Sequence, residues 1–182
     1  MDKRQFIKHS IAGAVAIGTG AMIHTAYAES NVRLSAKSGT IKRLLGKTGF
    51  EVFPVIYGGI ISSRDGQDAS NNYVAWALDR GINYFDVAPS YGDAEEKLGI
   101  SIKPFRKDIY LACKTTIRTR KEAEKEFEES LRLLHTDYFD LFQLHSLSSP
   151  EDVDKTFAAN GVIEMFEKEK QRWRLDFAYC CH

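Results

Sequence analysis

Between residues 41 and 182 the spacing of apolar positions keeps switching between two periods. Short runs that are apolar at nearly every position alternate with longer stretches whose apolar residues recur every three to four positions. The short runs are 54–57, 82–87, 109–114 and 138–145, rich in Ile, Val, Tyr, Phe and Leu. Runs of that length and composition, bounded by Gly or Pro, predict strands. The first is stopped by Gly58-Gly59. The longer stretches predict helices over 68–80, from 94 to 98, over 120–134 and over 161–170, with a further helical start at Pro150 and the acidic 151–154. The stretch 120–134 has the clearest period, with Ala123, Phe127, Leu131 and Leu134 on one stripe and Glu and Lys elsewhere. In 68–80, Asp68 or Ser70 can cap, Tyr73, Trp76 and Ala77 make the stripe, and Gly81 ends the helix. Val162, Met165 and Phe166 mark the last helix, and Ile102 with Pro104 mark an irregular stretch. Ahead of the first strand, Gly46-Lys-Thr-Gly49 lies between Leu44-Leu45 and Val52-Phe53, which predicts a short β-hairpin.

Strand followed by helix, repeated four times, is an α/β pattern. Strands without polar alternation are buried on both faces, as in a parallel sheet covered by helices. A (β/α)8 barrel and a doubly wound sheet both fit. Gly58-Gly59 runs into Ile60-Ile61, not into G-x-G-x-x-G, so the doubly wound dinucleotide fingerprint is unsupported.

Charge narrows the partners. Lys+Arg and Asp+Glu are 25 each, which leaves no basic field for nucleic acid. Hydrophobic content of 43% is that of a soluble globular chain. Cys113, Cys180 and Cys181 are too few and badly spaced for a disulfide framework or a C-x-x-C metal pair, and Cys180-Cys181-His182 reads as a frayed terminus rather than a metal site.

The first 28 residues stand apart. A charged opening, an apolar run from Ile11 to Ile23 and Ala26-Tyr-Ala28 together predict a cleaved secretory signal. The apolar run is too short for a spanning helix, which needs roughly 20 residues. The membrane is therefore met only through this segment before cleavage, and a retained interfacial anchor is the alternative. Lys3-Arg-Gln-Phe-Ile-Lys8 is similar to a twin-arginine signal with Lys3 in place of the first arginine. Such a leader implies export to the periplasm; unused, it leaves the protein in the cytoplasm. Residues 29–40 are small and polar and read as a flexible lead-in to a domain over 41–182.

Candidate chemistry collects at strand ends. The second strand delivers Asp86, with Tyr91 just beyond; the third ends in Lys114 and the fourth in His145. In a parallel barrel the C-terminal strand ends gather on one face, where active sites sit. A lone Lys or His at such a position is usually solvated or capped, but four in successive strand ends form a coherent set. Tyrosine acts as a general acid when its pKa of about 10 is lowered, and a nearby ammonium such as Lys114 does this. A buried Lys114 needs a counter-charge, which Asp86 offers. His145 can orient a carbonyl through a hydrogen bond. Such a set protonates a carbonyl oxygen while a cofactor delivers hydride to carbon. A hydrolase would call for paired carboxylates or a metal cluster, and only Asp86 is present there.

These residues also carry a resemblance. Gly81-Ile-Asn-Tyr-Phe-Asp86-Val-Ala-Pro-Ser-Tyr91-Gly92, Leu111-Ala-Cys-Lys114-Thr115, Leu131-Arg-Leu-Leu-His-Thr-Asp137-Tyr-Phe-Asp140-Leu-Phe-Gln-Leu-His145 and the Leu44-Leu-Gly-Lys-Thr-Gly49 hairpin resemble the aldo-keto reductase family, in its order, across 41–170. The resemblance implies a TIM barrel that uses NADPH, or NADH, to reduce small aldehydes and ketones. It implies Tyr91 as the acid, Lys114 and Asp86 as its tuning pair and His145 as the substrate orienter. Gly58, Gly59 and Ile60 fall on the nicotinamide side, with Asp86. Leu175-Asp-Phe-Ala-Tyr-Cys180-Cys-His182 can be laid on the family's fifth strand, which puts Cys180 at a nicotinamide-holding position; a frameshifted tail is the competing reading.

The 182 residues fall short of the ~250 that eight strands typically need. The expectation is a partial barrel of four to five strands from a truncated member, which binds NADPH weakly or not at all by itself. Its open edge invites self-association. The alternative function is a non-catalytic barrel fragment acting only with another chain.

Overall fold

The computed structural model describes residues 41–180. The leader read over 1–28, the lead-in over 29–40, residues 181–182 and the side chains of 179 and 180 lie outside the described residues.

The predicted hairpin is present as β1 (Arg43–Leu44) and β2 (Glu51–Val52), paired antiparallel. Gly46 and Gly49, both at positive φ, turn the chain, and the Thr48 hydroxyl donates to the Leu45 carbonyl at 2.6 Å. Five parallel strands follow: β3 (Tyr57–Gly58), β4 (Tyr84–Asp86), β5 (Tyr110–Thr115), β6 (Phe139–Leu144) and β7 (Leu175–Cys180). They lie in the sheet in chain order. A doubly wound sheet reverses its strand order at a switch point, whereas a (β/α)8 barrel adds each strand beside the last. The architecture is thus the first five strands of such a barrel, and 175–180 do form the fifth.

The helices are α1 (Gln67–Asp79), α2 (Ala94–Ile102), α3 (Arg120–Leu133), α4 (Pro150–Phe157) and α5 (Val162–Gln171). The irregular stretch after α2 is a 3-10 helix, Lys103–Asp108, with Pro104 in its first turn. Side chains alternate across the sheet. Phe85, Leu111, Cys113 and Phe142 point to the helices and are fully buried. Phe127 of α3 packs edge-on against Phe139 and Phe142, with centroids 5.2 and 5.0 Å away. Tyr84, Ala112 and Leu141 point the other way, toward Val52 of the hairpin. There Phe50 stacks on Tyr110 at 4.3 Å and meets Phe177 edge-on at 5.2 Å. The hairpin thereby covers the inner face at the N-terminal end of the strands.

Three local expectations are corrected. The first strand is two residues, Tyr57–Gly58, not 54–57; Pro54 offers no N–H, Val55 and Ile56 are exposed, and Gly58 belongs to the strand instead of stopping it. Helix α1 begins after Gly66 without a side-chain cap, and Ser70 is buried within it, bonded to Ser62 and Ser101. Trp76 is 66% exposed and carries the Arg80 guanidinium on its ring, while Val74, Ala77 and Leu78 take the core face.

Two packing details yield predictions. A Cβ at Gly99 of α2 would lie 2.2 Å from the Leu133 carbonyl at the end of α3, so the helices touch backbone to backbone there. Gly99→Ala is expected to cost about 1–3 kcal/mol in urea denaturation, and an unchanged midpoint would contradict this contact. Glu95 of α2 is buried beneath β5 and accepts the Cys113 S–H at 3.4 Å. Burial raises its pKa, against the lowering effect of hydrogen bonds. The folded chain then binds this proton more tightly than the unfolded chain, so stability falls as pH rises from the usual carboxylate range through the raised value. Glu95→Gln should flatten that slope and raise the midpoint at neutral pH; an unaltered pH profile of thermal unfolding would refute it.

Candidate active site

Asp86 is the last residue of β4 and Lys114 the next to last of β5. Both follow inward-facing residues, Tyr84 and Ala112, by two positions, so both point to the inner face. Lys114 Nζ donates to Asp86 Oδ2 at 2.7 Å and to the Tyr91 hydroxyl at 3.2 Å. Tyr91 stands in the loop from β4 to α2, where its N–H donates to the Ala88 carbonyl and Gly92, at φ +64°, turns the chain into the helix. His145 is the first residue after β6 and extends the ladder by donating its N–H to the Thr115 carbonyl at 2.9 Å. Its ring meets that of Tyr91 edge-on, with centroids 6.0 Å apart. The four side chains expected to act together are therefore neighbours.

Burial sets the electrostatics. The Lys114 side chain is 6% exposed and that of Asp86 19%. Burial alone would lower the Lys114 pKa, but the Asp86 hydrogen bond and charge, helped by Tyr91, outweigh it and hold it above the ordinary value. Burial pushes the Asp86 carboxyl up while Lys114 pulls it back. Burial and the charge of Lys114 push the His145 imidazole down, and Arg118 adds to this. Its neutral form is favoured.

Two further polar residues enter the site. Gln143 of β6 lies in register with Lys114, and its Oε1 is buried without a partner, as is Oδ1 of Asp86. Arg118 reaches back from the β5–α3 loop to the His145 carbonyl at 2.7 Å. Gln143 could have been found from its spacing, two residues before His145 on the same strand face; Arg118 had no sequence signal.

The cofactor-side residues separate. Gly58 pairs with Asp86 across the strands, and a Cβ built on it would meet nothing within 4 Å. Gly59 packs its α-carbon against the β4 backbone, where a Cβ would lie 2.7 Å from the Asp86 carbonyl. Ile60 is half exposed in the 3-10 turn Gly59–Ser63. Cys180 ends β7 beside Leu144. Gly58 is thus unobstructed on the strand next to Asp86, whose Oδ1 is buried without a partner, while the second such acceptor, Gln143 Oε1, lies on β6 beyond β4 and β5.

An in-order parallel sheet with its polar side chains at the C-terminal strand ends defines a barrel-type α/β protein. The sequence profile of the Aldo/keto reductase family matches residues 58–169, and the chain belongs to that family. It is 32% identical over 144 residues to the oxidoreductase YqkF of Bacillus subtilis, covering 71% of this chain and 45% of the relative. To the aldo-keto reductase YhdN of the same organism it is 35% identical over 129 residues, 63% of this chain and 38% of the relative. The chain thus spans less than half the length of these curated relatives. Among solved structures, the holo form of an aldo-keto reductase from Bacillus halodurans superposes with a TM-score of 0.65 at 29% identity, over 78% of this chain and 50% of that one. An aldo/keto reductase from Brucella melitensis gives 0.60 at 27% identity, over 78% and 52%.

The Asp86–Lys114 pair makes a testable unit. Lys114→Met leaves a buried carboxylate alone and is expected to cost roughly 3–5 kcal/mol of folding stability. The double variant with Asp86→Asn should recover much of that loss. Additive losses in chemical denaturation would show that the two do not act as a pair.

Proposed function

We propose that this chain carries the proton-handling side of an NAD(P)H-dependent reductase of aldehydes and ketones. The observation that carries this reading is one buried ammonium within hydrogen-bond reach of both a carboxylate and a phenol. Tyr91 acts as general acid: its O–H bond breaks and the proton passes to the carbonyl oxygen of the substrate. Lys114 opposes the negative charge that grows on the phenolic oxygen, and Asp86 holds Lys114 in place. His145, held neutral, donates an N–H to the same carbonyl oxygen and fixes its direction. The nicotinamide cofactor supplies hydride when bound. Gly58, Gly59, Ile60, Asp86 and Cys180 are proposed to line its nicotinamide end, with NADPH or NADH as the dinucleotide. Membership of the family supports the reaction class, and the geometry supports the division of labour. The leader read over residues 1–28 adds export to the periplasm.

A second reading is favoured by the sheet edges. Among the described residues the outer sides of β3 and β7 pair with no strand. Unpaired parallel edges invite further strands, and in this reading the chain is a non-catalytic barrel fragment that acts only by association with another chain. Size-exclusion chromatography combined with an NAD(P)H-oxidation assay separates the two readings.

With a panel of small aldehydes and ketones, Tyr91→Phe is expected to lower kcat by roughly 10²–10⁴ from that of the unmodified chain, the usual worth of a general acid, with dinucleotide affinity in a fluorescence titration, weak or not, the same as that of the unmodified chain. Turnover equal to that of the unmodified chain would remove Tyr91 from the mechanism.

A further inference from the structure

We propose that Arg118 is the positioning residue for His145, pinning the backbone that carries the imidazole to the end of β5, a role that rests on reading His145 as the carbonyl-orienting group. Arg118 stands in the loop between β5 and α3, and its side chain is 8% exposed. One Nη2 donates to the His145 carbonyl at 2.7 Å and to the Ser146 carbonyl at 3.2 Å. Nη1 donates to the Thr115 carbonyl at 3.3 Å. Thr115 is also the residue whose carbonyl receives the His145 N–H. The guanidinium therefore bridges the last residue of β5 and the first two residues beyond β6. Asp152 of α4 supplies a counter-charge at 3.8 Å.

The backbone at this point needs holding. Ser146 has φ +54°, a region that a non-glycine residue enters at a cost. The ladder ends at His145, so strand pairing cannot impose this kink. Arg118 grips the carbonyls on both of its sides. Its own position is fixed in turn, because its carbonyl accepts the Val162 N–H at the start of α5 at 2.9 Å. Its Nε is buried without a partner, so the placement of the side chain is dictated by the Nη bonds. A planar fork can address three carbonyls at fixed angles, which a lysine ammonium on a flexible stem cannot.

The charge of Arg118 reaches the imidazole as well. The groups facing His145 are Lys114 of β5, Asp86 of β4, Tyr91 of the β4–α2 loop and Arg118 itself. Burial first, and then two cations against one carboxylate, lower the imidazole pKa and so favour the neutral ring, which donates through its N–H.

The test uses the full chain with Arg118→Met and Arg118→Lys. In Arg118→Met the His145 ring signals, followed by NMR, are expected to titrate at higher pH and to split or broaden, and kcat/KM for a small aldehyde to fall about tenfold or more. Arg118→Lys keeps the charge but not the fork, so the titration should stay low while the signals still split. A lowered melting temperature with His145 signals and titration unchanged would make Arg118 a loop staple only and overturn the proposal. Should both variants unfold, the unmodified chain decides: slow guanidinium rotation with cross-relaxation from Nη–H to the His145 backbone is expected, and free rotation overturns it. A shifted titration with unaltered kcat/KM would leave the positioning role standing and sink the reading of His145 as orienter.

Discussion

The buried ion pair between Lys114 and Asp86 is the interaction on which the functional end of this molecule depends. An ammonium on the inner face of a sheet is expensive to desolvate unless a carboxylate meets it at hydrogen-bond distance. Here the carboxylate stands on the adjacent strand at 2.7 Å, and the same ammonium still reaches Tyr91. That requires β4 and β5 to be parallel neighbours in a set register, with Asp86 opposite Ala112 and Lys114 one inward position further along. The register in turn needs both faces of the sheet filled. The helices cover one face, and the hairpin covers the other at the N-terminal end, with Phe50 stacked on Tyr110. A polar cluster at one end of the strands is thus the counterpart of an aromatic plug at the other.

A second buried ion pair steadies the frame at the opposite end. Arg106, in the 3-10 helix after α2, meets Asp140 of β6 at 2.8 Å and donates to the Tyr138 carbonyl at 2.9 Å. Asp140 also accepts the Leu111 N–H at the start of β5. This staple joins β5 and β6 near their N-terminal ends, while Arg118 joins the same two strands at their C-terminal ends. Two arginines therefore hold β5 against β6, one at either end. Each uses a planar fork to bond backbone carbonyls at the strand ends.

Most of the architecture could be read from periodicity. The helix over 120–134 came within a residue of its observed end because Ala123, Phe127 and Leu131 keep a strict helical spacing and are buried as that spacing implies. Strands β5 and β6 were plain because almost every residue in them is buried. The misreadings fall where local pattern and packing disagree. Trp76 looks like core, yet three residues around it, Val74, Ala77 and Leu78, already fill the space against the sheet. Val55 and Ile56 look like strand, yet Pro54 precedes them and β3 pairs with β4 only through Tyr57 and Gly58.

Residue order alone was enough for the strand–helix alternation and for the four polar residues at the strand ends, since apolar spacing and strand length are properties of neighbouring positions. It left open whether the sheet was wound once or twice, because strand order is a relation between segments far apart in the chain; only the tertiary structure decided that β3 to β7 lie in sequence. The same holds for the electrostatics. That Lys114 is buried yet kept charged, that the His145 pKa is lowered, and that Arg118 bonds the carbonyl of His145 all follow from distances of a few ångströms between groups 23 or more residues apart. Such couplings depend on burial and mutual approach, which no stretch of sequence specifies by itself.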